Sequence, residues 1–504
     1  MLNRAMAAVL ALAVVCAQMG CYVRKVQQVP VAEVPQPEKE KIVGITTVNG
    51  ESVSFDPPGG SIKDKTLRAS VNKTLYEIPL DQVQRYWVKR NELSKGRTIG
   101  LVAAVAVVGV IAGVAATQSG SSGTPKSSCP FIYSWNGGEY VLDAESYGGA
   151  ITRGLERDDY SELEHLSPDS GFYRVMVTNE ADETEFTNLM ELQVVDHPAR
   201  TQVVPDESGT YHIVTAPQRP ILARDSSGRN LLRWLQAPDR LIWEPEATVD
   251  AKGTVRDEIT MTFPKPKDAS IATLVTNAAT GTWGAFMMRE SLAIHGRDLD
   301  AWYQSIDDNQ KDREALLWWS LREELYELKV YVKEPTGWQL RGIMPGGGPV
   351  VAQNGVVLLD VSHVPGDELQ VQIRPPKGFW ALNYFAVDYS RESAPRVEKL
   401  QPVNAEDESG RNVLPELSRV DDSYYTMPKQ GNRAYVTFPA PPLRPGMSRT
   451  VFLHSRGYYR LHLTPQGEPN TAVLLEMGQV ADTAARLAAM RYSQWKNERD
   501  RPGN

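Results

Sequence analysis

The sequence predicts a mainly β fold of several antiparallel β-sandwich or jelly-roll-like units, with a helical insert, one transmembrane-like helix and a C-terminal helix. Three observations carry this expectation. Short apolar–polar alternations recur between turn signals, as half-buried strands require. The chain holds 34 Pro and 38 Gly, the residues that fix φ or make it positive in turns. A third sign is a repeat: Ala-x-Asp-x-Ser-Gly-Arg-Asn-x-Leu occurs in 219–235 and again in 401–417. At 504 residues the chain exceeds the roughly 250–300 residues at which single cores stop growing, so several domains are expected. Its net charge of -8 argues against nucleic acid as a partner, because phosphate binding needs a concentrated basic face.

The N-terminus MLNRAMAAVLALAVVCAQMGC places one Arg before an apolar stretch and Gly20 before Cys21. That order marks residues 1–20 as a signal peptide, and it resembles a bacterial lipoprotein signal with Cys21 as the lipidated residue. Gln18 stands where such signals carry Leu, so a simple signal peptide or an uncleaved anchor is the alternative. Residues 21–40 hold spaced prolines and charges and read as a tether. Residues 99–116, IGLVAAVAVVGVIAGVAA, carry no charge and reach the lower length for a spanning helix, set within 98–117. Gly109 and Gly113 form a small-xxx-small pair that lets two such helices approach. A buried Ala/Gly-rich hairpin helix is the other reading of this run. Residues 118–128 follow as a linker.

Between these segments, residues 41–92 alternate in the β manner around Asn49-Gly50 and form a small β domain. Beyond the linker, CPFIYSWNGGEYVLD reads as a hairpin, with Phe131, Tyr133 and Trp135 on one strand face and Asn136-Gly137-Gly138 at the turn. Cys129 lacks a local His or helix N-terminus to activate it, so it is read as opening that hairpin rather than as a nucleophile. The next segment clusters Glu156, Asp158, Asp159, Glu162 and Glu164. A solvated acidic turn is the plainer reading; Asp158 and Asp159 are the ligand-binding candidates within it. The set Cys129-Pro130-Phe131, Tyr147-Gly148-Gly149-Ala150, Leu155 to Tyr160 and Thr178-Asn179-Glu180 resembles an uncharacterised family of membrane-anchored bacterial (lipo)proteins. The resemblance covers residues 98–200 and the remainder loosely; it implies a shared architecture and lends no activity.

The repeat copies fall in a β domain at 129–282 and a β unit at 393–465. Each copy runs on to a strand, ITMTFPKPK or AYVTFPAPP, in which Phe263 and Phe438 are expected to be buried at equivalent places. Asp225, Arg229 and Asn230 are either a binding loop or a turn whose Asp caps the backbone; duplication favours the turn. A helical insert at 283–324 separates the first copy from a jelly-roll-like unit at 325–392. There Trp338 and Trp380 are candidates for stacking on sugar, against the commoner buried packing. Residues 470–498 form one amphipathic helix with Val473, Met477, Val480, Ala484 and Leu487 along a stripe.

These readings lead to a membrane-anchored cell-envelope protein, at the outer membrane or the periplasmic face. A structural or protein-interaction role is expected, with membrane lipid and an envelope protein or glycan as partners. Carbohydrate binding is the alternative, and a glycan hydrolase using carboxylates near 156–164 stands behind it. No nucleophile elbow, zinc-protease motif, phosphate loop or dinucleotide fingerprint is present, so no catalytic residue, metal or cofactor is assigned.

Overall fold

Alternating burial builds the N-terminal unit, Met1–Ser122. Its strands are β1 (Tyr22–Pro30), β2 (Ile42–Thr47), β3 (Ser52–Ser54), β4 (Ser61–Lys63), β5 (Thr66–Val71), β6 (Thr74–Pro79) and β7 (Val83–Leu93). They make two antiparallel sheets, β1-β7-β2-β3 and β4-β5-β6, which share a core of Ile42, Ile45, Phe55, Leu67, Ile78 and Val88. The tether expected over 21–40 is corrected by β1, which pairs with β7 from Tyr22↔Leu93 to Pro30↔Arg85. That pairing uses backbone groups, which the polar side chains of the stretch do not advertise, and Pro30 closes it where a missing N–H costs least.

The computed structural model describes residues 22–93 and 129–499, apart from 32, 33, 35, 36, 49–51, 57, 72, 73, 240, 251 and 391–393. The signal at 1–20, Cys21, the span at 98–117 with Gly109 and Gly113, and the linker at 118–128 lie outside the described residues. Among the described residues no helix is long and apolar enough to cross a membrane.

In the second unit, Gly123–Asn504, the strands in chain order begin with β8 (Phe131–Trp135), β9 (Tyr140–Glu145), β10 (Arg157–Glu162), β11 (Phe172–Thr178) and β12 (Glu183–Pro198). A hairpin, β13 (Gln202–Pro205) and β14 (Tyr211–Val214), leads to β15 (Leu222–Arg224), β16 (Ile259–Pro264) and β17 (Ile271–Thr280). Helices α1 (Thr282–Ala293), α2 (Leu299–Asp308) and α3 (Gln310–Glu323) form the insert. Then come β18 (Glu327–Glu334), β19 (Gly337–Pro345), β20 (Gln353–Asp360), β21 (Glu368–Ile373) and β22 (Trp380–Asp388). The last strands are β23 (Val397–Leu400), β24 (Asn404–Asp407), β25 (Tyr425–Met427), β26 (Arg433–Pro439) and β27 (Met447–Leu461). Helices α4 (Thr471–Gln479) and α5 (Thr483–Arg499) end the chain's described part.

These strands close two sandwiches, and neither is a continuous piece of chain. The first pairs sheet β24-β26-β11-β8-β9 with sheet β10-β27-β12-β23, β25 also joining β12. Its core includes Ile132, Val175, Leu192, Val436, Phe438 and Leu453, drawn from both ends of the unit. The second sandwich pairs β15-β16-β21-β18-β19 with β20-β17-β22. The expectation that 129–282 closes into one β domain is therefore corrected. Residues 131–198 complete their sandwich with 397–461, and 222–280 complete theirs with 327–388. Likewise 325–392 and 393–465 are not separate units, since each supplies half of a different sandwich.

The two sandwiches repeat one plan. Strand order β24-β26-β11-β8-β9 matches β15-β16-β21-β18-β19, and β10-β27-β12 matches β20-β17-β22. Irregularities fall at matching points, after Ile132 and after Val330 in the hairpins. Asn188 and Asn383 are each the extra residue of a bulge on β12 and β22, a device that bends a strand locally. The turns agree bond for bond. Asp225 Oδ1 accepts from the N–H of Ser227 and of Arg229 at 2.9 Å each; Asp407 Oδ1 accepts from Ser409 and Arg411 at 2.9 and 3.0 Å. Gly228 and Gly410 take φ of 83° and 81°, where a side chain would be strained. Phe263 and Phe438 are both fully buried. So Asp225, Arg229 and Asn230 make the turn, with Asn230 Oδ1 accepting from Leu232 N–H at 2.9 Å.

The C-terminal stripe is also corrected. Asp482 adopts a left-handed φ of 64°, which breaks the expected single helix into α4 and α5 and leaves Val480 exposed. An ion pair from Arg256 Nε to Asp482, 2.5 Å, holds the break.

Candidate functional site

Sheets β10-β27-β12-β23 and β20-β17-β22 meet at one seam, where Asn354 of β20 donates to Glu162 of β10 at 3.0 Å. The β13–β14 hairpin lies in it: Val203 and Tyr211 pack with Phe452 of the first sandwich, while Val204 and Val214 pack with Val275 and Val356 of the second. Successive strand residues face opposite ways, so one short hairpin fills both sides.

Beside this hairpin the seam opens into a cavity of about 1020 Å³. Helices α1 to α4 supply an apolar wall that includes Met287, Leu292, Trp302, Leu316, Trp319 and Met477. The opposite wall is polar, with Glu156 to Tyr160 around β10, Arg456 on β27, Asp206 and Glu207 at the hairpin turn, and Glu327 on β18. The helices are fastened by polar bonds. Trp319 Nε1 donates to the Met477 carbonyl at 2.8 Å, and Arg322 donates to the carbonyls of Met477 and Gly478 at 2.6 and 2.8 Å.

The acidic cluster read from the sequence reaches this wall, but in pairs. Arg456 binds Asp158 at 2.7 Å and Glu156 at 3.2 Å, and His454 Nε2 meets Asp158 at 2.8 Å. The His454 bond and Arg456 hold the Asp158 carboxyl below its usual range. Burial lowers the His454 pKa, yet its bonds to Asp158 and Glu191 outweigh burial and leave it raised. Asp159 is buried and accepts from the N–H of Tyr147 at 2.9 Å and from the Ser161 hydroxyl at 2.8 Å. Glu162 is pushed up to about 7 by burial, against a 3.0 Å bond from Asn354.

A second group of carboxyls lies deeper. Glu183 and Glu185 share one face of β12 and are almost wholly buried, so charging both side by side is costly. The Cys129 N–H donates to Glu183 at 2.8 Å. Burial raises the Cys129 thiol, and nearby Glu145 and Glu183 raise it further. That is the environment of an inert cysteine, two residues ahead of the β8 hairpin. Burial pushes Glu183 up to about 7 and drives Glu185 well above the carboxylate range, with each other's charge adding to the latter. The folded pair thus holds protons that an unfolded chain, with carboxyl pKa near about 4.3, has released. Its stabilising contribution is complete below that value and fades as pH rises through about 7. Denaturation midpoints should fall between pH 5 and 8 in the wild type, and Glu185→Gln should flatten that fall. A wild-type curve without this decline would contradict the raised carboxyl pair.

The tryptophan candidates do not join Asp158 and Asp159. Trp380 is fully buried, its Nε1 donating to the Glu324 carbonyl at 2.7 Å. Trp338 sits on the β18–β19 hairpin with Lys333 Nζ 5.3 Å from its ring centre. Sequence reasoning missed Arg456, which meets Asp158 from a strand remote in the chain, and Glu207 and Glu327, which line the same cavity. No local pattern marks them.

The fold and seam define a class, a double β-sandwich protein with a helix-walled cavity between its halves. No protein-family model matches the chain, and no curated protein does. Among solved structures, a GH31 alpha-xylosidase from Xanthomonas citri is similar at 9% identity over 83% of this chain, with a TM-score of 0.13. This chain spans only 38% of that enzyme's length. A triple jelly-roll protein of an archaeal virus turret is similar at 8% identity, covering 62% of this chain and 91% of its own, TM-score 0.13. A protein of Sulfolobus Turreted Icosahedral Virus gives 8% identity, 68% and 91% coverage, and a TM-score of 0.14.

Proposed function

We propose that the chain is a membrane-anchored cell-envelope protein, held by lipid at Cys21 and by a spanning helix at 98–117, whose double-sandwich body binds a partner and does no chemistry. Self-association of that helix through Gly109 and Gly113 belongs to the same reading. The observation that supports a binding role is the seam cavity, whose wall carboxylates Glu156 and Asp158 are tied to Arg456 and His454. The hydrolase alternative fares worse. The cluster members whose pKa values are driven apart, Asp158 and Glu162, stand four residues apart on one strand. At about 3.3 Å per residue that is roughly 13 Å, beyond the about 5–9.5 Å that glycosidase carboxyl pairs keep.

Fractionation tests the anchoring. Mass spectrometry should find the mature N-terminal peptide lipidated at Cys21. The Cys21→Ser chain should stay with membranes after a carbonate wash, because residues 99–116 still hold it. Release of that variant into the soluble fraction, or an unmodified Cys21 in the wild type, contradicts the corresponding anchor. Hydrolysis of envelope glycan by the purified full chain contradicts the binding role.

A further inference from the structure

We propose that the seam cavity is a binding site for a cationic amphiphile, a single apolar chain of fatty-acyl size carrying an amine head. This deepens the binding role above and rests on it. The cavity, about 1020 Å³, sits at the upper end of the about 300–1,000 Å³ typical of ligand pockets. Its helix wall is rich in Met and Trp, soft and flat side chains that accommodate alkyl chains of varied shape. Half-exposed Leu317 lines the cavity, and the adjacent Trp318 on α3 is exposed, so apolar surface continues outward from that wall.

The head is chosen by charge. Arg456 is committed to Glu156 and Asp158, Arg157 reaches Asp159 at 3.7 Å, and Asp206 meets His212 at 2.9 Å. Glu207 and Glu327 both lie on the polar wall, and neither has an ion-pair partner within 4.0 Å among the described residues. Burial raises the Glu327 carboxyl and Glu207 raises it further, against Arg157 and Lys329, which lower it. Carboxylates outnumber Arg157 and Arg456 among the lining residues, so an ammonium head offsets negative charge there, whereas a carboxylate or phosphate head would add to it.

Heavy-atom quenching of tryptophan provides the test, because Trp302 and Trp319 line the cavity. The full chain, embedded in phosphatidylcholine nanodiscs, is titrated with 11-bromoundecylamine and with 11-bromoundecanoate. The amine should quench at a concentration about tenfold lower than the acid. Glu207→Gln with Glu327→Gln should erase that preference while chain binding persists. Ser291→Phe, which fills the α1 wall, should abolish quenching without moving the denaturation midpoint. Equal quenching by both heads, or quenching untouched by Ser291→Phe, overturns the proposal. If neither probe quenches but Ser291→Phe alters the chain's cross-links in its native membrane, the amphiphile is wrong and the binding role survives. If Ser291→Phe changes neither readout, both fall.

Discussion

Phe438→Ala is expected to destabilise the C-terminal unit by about 3–5 kcal/mol, and Phe263→Ala by a similar amount. Each ring is fully buried and occupies the same place in its own sandwich. Phe438 opposes Tyr173 and Phe263 opposes Leu369 across matching strands, and the residue just before the neighbouring edge strand is bonded alike in both copies: Val403 N–H to the Thr437 carbonyl, Ile221 N–H to the Thr262 carbonyl, each 2.8 Å. Truncation leaves a cavity that a close-packed sheet interface cannot collapse. Because the two rings lie in different cores, their costs should add. Chemical denaturation followed by tryptophan fluorescence checks this. A shift below about 1 kcal/mol for either ring would mean that it is not the central packing element of its sandwich.

Arg256→Ala should cost about 3 kcal/mol or more and free the helical wall. Arg256 lies mostly buried and joins four elements. Its guanidinium donates to Asp482 at 2.5 Å, to Glu324 at 3.1 Å, and to the carbonyls of Arg374 and Glu323 at 2.9 Å each. Removing it leaves the buried Glu324 carboxyl, already raised by burial, with only Lys329 nearby at 3.6 Å. It also releases the break between α4 and α5. Hydrogen exchange should therefore accelerate across 471–499 before it does in β26 or β12. Unchanged exchange in those helices would show that the bonds from Trp319 and Arg322 suffice to dock them.

What the sequence made legible was local. The Asp-x-Ser-Gly-Arg-Asn turns, the Asn136-Gly137-Gly138 hairpin and the burial of Phe263 and Phe438 follow from residues within a few positions of each other, where turn chemistry and alternation act. The strand partners were not legible. Alternation tells which face of 172–178 is buried, but not that 433–439 rather than 259–264 lies beside it, since both copies carry nearly the same pattern. The site was half visible for the same reason. Asp158 and Asp159 stood out as an acidic cluster, while Arg456, the partner of Asp158, and Glu327 on the same wall arrive from distant strands. Trp380 drew attention as an aromatic, and burial with a carbonyl bond absorbed it. The helix break at Asp482 depends on a tertiary ion pair, which no period of apolar residues could foretell.

The central claim is that each repeat copy completes its sandwich with a segment remote in the chain, 397–461 with 131–198 and 222–280 with 327–388, so that two sandwiches meet at the seam. Paired cysteines test it most directly. Arg174 and Thr437 face each other across β11 and β26. The equivalent of Thr437 in the other copy is Thr262 on β16, which instead faces Gln370. Arg174→Cys with Thr437→Cys, in a chain where Cys129 stays buried, should therefore form an intramolecular disulfide under mild oxidation, read by mass spectrometry. Arg174→Cys with Thr262→Cys should remain reduced. If the second pair links and the first does not, 129–282 closes into one domain, and the seam with its cavity does not exist.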